Sequence, residues 1–306
     1  MKKGVRRVLG CVTIAALVLV GGVVLYNLAA RAAVRWDGTS VPRDPDTGLM
    51  VGAGPTTIDR GRPRACLLLH GWLTSPADFS ELTGAIDRTG WDVHAPLHVG
   101  HGTGPADMAE VDADDLLGGA REHYSRLREE YERVALLGFS MGGTIATILA
   151  SERPPDRLVL VAPLYRVRHR WYYVLPARWW HVVASPFIRY AWRGHRLVHI
   201  NQKENRDRVL LYTAFPISAV HALFELRRRA VEQVNPDALT MPVLLLYGTG
   251  DGVCSPAAMD EYLDEMASDR KQTVVYRRSD HHLLHDYDGE EATKAITEFL
   301  HASARR

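Results

Sequence analysis

The sequence predicts an α/β fold, a mostly parallel sheet flanked by helices, with a helical cap inserted and an apolar N-terminal helix ahead of it. Three observations predict it. Short apolar runs alternate with amphipathic segments from about residue 64 to the C-terminus, and strands that alternate with helices imply a parallel sheet wrapped on both sides. The interval from Pro163 to about Leu239 is far longer than a crossover needs, so it reads as an insertion with helices of its own. Before all of this, Lys2, Lys3, Arg6 and Arg7 precede an uncharged run from Val8 to Ala30.

That first run would span about 35 Å as a helix at ~1.5 Å per residue, enough to cross a bilayer core. Residues 1–35 are therefore expected to be a membrane anchor. The alternatives are a signal peptide cleaved near Ala30-Arg31-Ala32 and a buried core helix. Basic residues before the run outnumber Arg31 and Arg35 after it, which puts the N-terminus in the cytoplasm and the rest of the chain outside. Cleavage would instead give a secreted or periplasmic protein. Residues 36–63 are rich in Gly, Pro, Asp and Arg and read as a tether, with one short strand near Leu49–Ile58.

Strands are expected at Ala65–Leu69, Trp91–Leu97, Val134–Gly138, Leu158–Ala162, Pro242–Tyr247 and Gln272–Tyr276. The first of these, Ala-Cys-Leu-Leu-Leu, is apolar throughout, as a strand buried on both faces must be. Amphipathic segments near 77–89, 112–131, 141–152, 256–268 and 288–303 supply the helices. Residues 64–306 thus form the main domain, with the cap at about 163–239.

The chemistry centres on Gly138-Phe139-Ser140-Met141-Gly142-Gly143. A serine between a buried strand and a helix stands on a sharp turn that lifts its Oγ clear of the sheet, and small neighbours relieve the crowding. The bland alternative is an ordinary glycine-rich turn, which the flanking elements disfavour. A serine hydroxyl needs a base, and the base needs an orienting carboxylate. Asp251 follows the fifth strand in Gly248-Thr249-Gly250-Asp251, and His281 follows the sixth in Ser279-Asp280-His281-His282. Both loops leave the sheet edge that carries Ser140.

Asp251 also fits a turn or helix-capping role, and Asp280, Asp286 and Asp260 are weaker candidates for the acid. His281 is the expected base because it comes first off its strand; His282 and His285 stay open as alternatives. A metal site built from those three histidines has no acidic ligand cluster to support it. The backbone N–H groups of Met141, after the nucleophile, and Trp72, in Leu69-His70-Gly71-Trp72, are the expected oxyanion donors. His70 reads as a brace for that loop.

The ordered motifs resemble α/β-hydrolases of the carboxylesterase and monoacylglycerol-lipase type, the serine aminopeptidase-like hydrolases and lysophospholipases. They are LLLHGW at 67–72, APLHVGHG at 95–102, GFSMGG at 138–143, GTGDGVCSP at 248–256 and SDHHLLHD at 279–286. The resemblance runs from about Arg64 to the C-terminus apart from the insertion. It implies hydrolysis of carboxylic esters by a serine carboxylesterase or lipase, with no metal and no organic cofactor, and its Ser-x-His pattern favours His281. It does not imply the anchor, and it leaves the substrate open, because function lives in the pocket and not in the fold. Peptidase or acyltransferase chemistry on the same residues, and a silent membrane-tethered binding protein, are the other readings.

Composition narrows the partners. A net charge of +1 supplies no global positive field for nucleic acid. Cys11, Cys66 and Cys254 form neither a disulfide framework nor a zinc motif. The cap gives the substrate clue: Tyr165–Arg196 holds seven arginines and no Asp or Glu, among Trp171, Tyr172, Tyr173, Trp179, Trp180, Phe187, Tyr190 and Trp192. Arginine with Trp and Tyr suits a membrane interface and a lipid acyl ester; the bland alternative is a lid with a solvated basic face.

Overall fold

The computed structural model describes residues 2–40, 42–169, 179, 182–183, 185–192, 198–212 and 214–302. Of the expected cap, Arg170, Trp171, Tyr172, Tyr173, Arg178, Trp180, Arg193 and Arg196 lie outside the described residues.

All six expected strands form, within a residue or two of their expected ends. They are β2 (Arg64–Leu69), β3 (Asp92–Ala95), β4 (Arg133–Phe139), β5 (Arg157–Val161), β8 (Val243–Gly248) and β9 (Lys271–Tyr276). A short β1 (Thr56–Ile58) joins them, and the seven strands lie in the order β1-β3-β2-β4-β5-β8-β9. Only β1 pairs antiparallel, with β3; every other pair is parallel. The central strands are buried almost throughout, which is why they carry continuous Leu and Val instead of alternation.

The main helices are α1 (Lys2–Ser40), α2 (Ser80–Arg88), α3 (Pro105–Met108), α4 (Ala113–Glu130), α5 (Met141–Glu152), α6 (Ile217–Glu232), α7 (Pro256–Glu265) and α8 (Gly289–His301). Helices α4, α5 and α6 pack side by side, and α2 packs with α8, giving the sheet its two layers. This is the α/β-hydrolase fold, a mostly parallel sheet flanked by helices. The start of α4 is fixed by Asp112, whose carboxylate accepts the N–H groups of Asp114 and Asp115 while Asp115 returns to the Asp112 N–H.

The long interval differs in kind from what periodicity suggests. Its longest described helix, α6, packs on α5 and places Leu226 and Ala230 in the main core. Ahead of it, β6 (Tyr190–Trp192) pairs antiparallel with β7 (Ala214–Pro216). Strands of three residues are too short to show a period in sequence. The returning leg, Val198 to Tyr212, builds a second small core with Leu73, Met108 and Ala219.

Helix α1 is continuous past the expected anchor boundary. Its stretch Arg7–Arg35 is long and apolar enough to cross a membrane by length and composition, a test that a signal sequence also passes.

Candidate active site

Ser140 sits where β4 hands over to α5, with φ 53° and ψ −115°. A non-glycine residue there carries strain of about 1–3 kcal/mol, and the surroundings hold it. The Ser140 N–H donates to the Val161 carbonyl at 2.9 Å, and its own carbonyl accepts the N–H of Gly143, Thr144 and Leu164. The glycines are dictated by close approach: a Cβ at Gly138 would lie 2.3 Å from the Gly142 carbonyl oxygen, and one at Gly142 would lie 1.9 Å from that of Leu69. The helix start is thereby pressed against the end of β2.

The loops after β8 and β9 bring the expected partners to this serine. Ser140 Oγ lies 3.0 Å from His281 Nε2, and His281 Nδ1 lies 2.8 Å from Asp251 Oδ2. Asp251 Oδ2 is an acceptor, so Nδ1 carries the proton and Nε2 is free to accept from the serine hydroxyl. The other Asp251 oxygen takes the N–H of Val253 at 2.8 Å and of Cys254 at 2.7 Å. All three side chains are buried. Gly248 lets the two loops meet, because a Cβ there would lie 2.2 Å from the Ser279 carbonyl oxygen.

The alternatives are occupied elsewhere. Asp280 accepts the N–H of Gly252 and of His281, Asp286 accepts those of Asn201, Gln202 and Asp280, and Asp260 takes the Tyr247 hydroxyl. Among the described residues one group of side chains is close enough to share a metal ion, Asp251, Cys254 and His281, not the three histidines of that loop. Asp251 and His281 already pair with each other, and burial, then the Asp251 charge, raises the Cys254 thiol, so its thiolate is disfavoured as a ligand.

The loop after β2 carries Trp72. His70 accepts the His98 N–H on Nε2 at 3.0 Å, which leaves Nδ1–H to donate to the Gly71 carbonyl at 2.9 Å. Burial, reinforced by His98 and His101, pushes its pKa well down, so His70 stays a neutral brace. Leu73 adopts φ 66°, the Tyr212 N–H donates to its carbonyl, and the Trp72 ring meets Phe215 edge-on at 4.9 Å. Met141 opens α5, and as the first helical residue its N–H has no carbonyl partner within the helix. A hollow among the described residues lies away from Ser140, between Ser185, Arg189 and Tyr190 and the α6 residues Ile217, His221 and Glu225. Its charged lining makes it a poor acyl site.

Sequence reasoning missed Asp78. Its carboxyl is buried and meets both the Gly71 N–H and the Thr74 hydroxyl, which is also 3.0 Å from the Gly71 carbonyl. One hydroxyl proton cannot serve two acceptors, so both contacts are made together only when Asp78 is a neutral acid. Burial raises its pKa to about 7, against the lowering pull of Thr74 and Gly71. No motif marks it, because only the fold brings residue 78 back beneath residue 71.

Asp78 has a folded pKa above its unfolded one, so its protonation is linked to stability. The stabilisation from Asp78 is complete below about pH 4 and is lost as pH rises through about 7. Asp78→Asn copies the neutral acid, so its stability relative to wild type should improve from about pH 4 and level off above about pH 7. The change should be at most about 4 kcal/mol, at ~1.4 kcal/mol per pKa unit. Denaturant midpoints measured across that range test it, and a constant difference would mean that Asp78 titrates normally.

A sheet of this order, with a serine on its strand-to-helix turn and a histidine–carboxylate pair across from it, defines an α/β hydrolase. The model of the family described as serine aminopeptidase, S33, matches residues 61–288, and the chain belongs to that family. It is 24% identical over 243 residues to the carboxylesterase of Bacillus subtilis (strain 168), covering 79% of this chain and 94% of that protein. It is 27% identical over 242 residues to the thermostable monoacylglycerol lipase of Bacillus sp. (strain H-257), covering 78% and 91%. Among solved structures, the monoacylglycerol lipase of Paleococcus ferrophilus superposes with a TM-score of 0.67 at 20% identity, covering 81% of this chain and 98% of that one.

Proposed function

We propose that the protein is a serine ester hydrolase acting on medium or long acyl esters, monoacylglycerol or lysophospholipid foremost, through an acyl-enzyme. The observation that carries this reading is the hydrogen-bonded line Asp251–His281–Ser140. The names of the Bacillus relatives, a carboxylesterase and a monoacylglycerol lipase, support the ester as the bond attacked.

In this mechanism Ser140 Oγ attacks the ester carbonyl carbon as its proton passes to His281 Nε2. Asp251 keeps the ring in the tautomer that can accept and stabilises the imidazolium. The negative oxygen of the tetrahedral intermediate is held by the N–H groups of Trp72 and Met141. Collapse expels the alcohol, which takes the proton from Nε2. Water then attacks the acyl-enzyme, gives its proton to Nε2, and the carboxylic acid leaves as Ser140 recovers its hydrogen.

The reading of the chain that accompanies this is an anchor over 1–35, a tether over 36–63 and a hydrolase domain over 64–306 with a cap at about 163–239. The anchor leaves the N-terminus in the cytoplasm and the catalytic domain outside.

Two measurements test the proposal. A fluorophosphonate probe should label the wild type and His282→Ala, while His281→Ala should label at least about 100-fold more slowly. Equal labelling of the two histidine variants would reject His281 as the base. The second measurement compares p-nitrophenyl esters of increasing chain length with aminoacyl amides, a contrast prompted by the family's description as serine aminopeptidase. Faster cleavage of the amides would replace the esterase reading with a peptidase one.

A further inference from the structure

Helix α1 has two distinct halves. Every residue from Arg7 to Val20 is exposed, whereas from Gly21 onward one face is covered. That face carries the half-buried Val23, Asn27 and Val34 and the buried Ala30, and their spacing of four, three and four puts them on one side of the helix. What covers it is the cap: α1 packs against β6 and β7.

The contact is specific at Asn27. Its Nδ2 donates to the Phe187 carbonyl at 2.8 Å, and its Oδ1 accepts the Arg189 N–H at 3.1 Å. The second Nδ2 hydrogen goes to the Val23 carbonyl at 2.9 Å. The carboxamide therefore pairs with the chain at 187–189 as a neighbouring strand's peptide group would. The Arg189 carbonyl continues the line by accepting the Ile217 N–H, at the start of α6.

A passive anchor has no use for a carboxamide inside its apolar run. Leaving one without partners in an apolar medium costs about 1–3 kcal/mol or more. Asn27 lies four residues before Arg31, the first charge after the run, or about 6 Å along the axis at ~1.5 Å per residue. In a spanning α1 that depth is the boundary between acyl chains and headgroups, where Trp, Tyr and Arg are favoured. The strap fastened there contains Arg189, Tyr190 and Trp192. Around it Phe187 is 63% exposed, Trp192 63%, Val182 57% and Val183 52%. Such a cluster is ill placed in water, and the bilayer that covers the exposed half of α1 would cover it too.

We propose that Asn27 fastens the strap Ser185–Trp192 to α1 and so seats this edge of the cap in the bilayer boundary, making α1 part of the cap and not a loose tether. The proposal rests on the reading of α1 as an uncleaved span; it does not depend on which ester is hydrolysed.

The test uses the full chain in phosphatidylcholine vesicles, with Cys11→Ser and Val183→Cys carrying an environment-sensitive fluorophore. Cys66 and Cys254 are buried, so the label goes to position 183. Lipids brominated near the headgroup end of the acyl chains should quench the probe in this background. Quenching should be retained in Asn27→Gln, which keeps the carboxamide, and lost in Asn27→Leu. Turnover of a water-soluble short ester should remain within about twofold in all three, showing that the fold is intact. Absence of quenching with Asn27 in place, or quenching that survives Asn27→Leu, overturns the proposal. An intact mass that lacks α1 overturns the anchor reading instead, and a chain that quenches yet cleaves no ester overturns only the proposed function.

Discussion

Ser140→Ala is expected to lower kcat for ester hydrolysis by roughly 10⁴-fold or more and to abolish fluorophosphonate labelling, because Ser140 is the hydroxyl that His281 engages. The nearest rival is Cys254, whose thiol borders Ser140 but is held protonated by burial. The loss should come with almost no change in fold, since the turn is set by backbone bonds to Val161, Gly143, Thr144 and Leu164. A second substitution separates chemistry from strain. Ser140→Gly should be equally inactive yet more stable than Ser140→Ala by about 1 kcal/mol, because glycine accepts φ near 53° without penalty. Steady-state kinetics with denaturant unfolding of both variants reads the two effects apart. Residual turnover within tenfold of wild type in either variant would remove Ser140 from the mechanism.

Gly142→Ala is the substitution with the largest expected effect on stability. Its new methyl carbon would lie 1.9 Å from the Leu69 carbonyl oxygen, 2.4 Å from the Leu69 carbonyl carbon and 2.7 Å from the His70 carbonyl oxygen. Backbone atoms in a central parallel pair cannot turn aside as a side chain can, so either β2 or the first turn of α5 must move. A cost above ~3 kcal/mol is expected, in the range where single substitutions unfold a marginal domain. Any folded fraction should also be inactive, because the shift displaces the Met141 amide from where an oxyanion would form. Gly119→Ala is the control: that position in α4 is exposed with nothing within 4 Å of the added carbon. It should be neutral or stabilising by up to ~1 kcal/mol. Urea midpoints of the two variants check the contrast, and equal midpoints would mean that the α5–β2 contact is not tight.

Both predictions rest on features of unequal visibility in the sequence. The glycines around Ser140 are plain to read, because a strand, a sharp turn and a helix in succession need small residues there whatever the rest of the fold does. The choice among His281, His282 and His285 is different. Three histidines within five residues look alike in one dimension, and it is the path of the loop after β9 that points His281 at both Ser140 and Asp251. Asp280 shows the same limit. It adjoins the histidine in sequence, yet its carboxylate is spent on the N–H groups of Gly252 and His281.

No sequence signal marked Asp78, and Asn27 showed only as a polar residue inside an apolar run. Neither reveals its partners until the fold sets it against backbone groups at Gly71 or at Phe187 and Arg189. The sequence by itself determined the parallel sheet, the order of serine, acid and histidine loops, and the long apolar first helix. Those follow from local patterns of burial and turn chemistry, which a chain carries along its length. The tertiary structure alone decided which histidine engages the serine, which carboxyl has its pKa raised by burial, and that the first helix meets β6 and β7. Those depend on distances across many residues of separation, which no local pattern encodes.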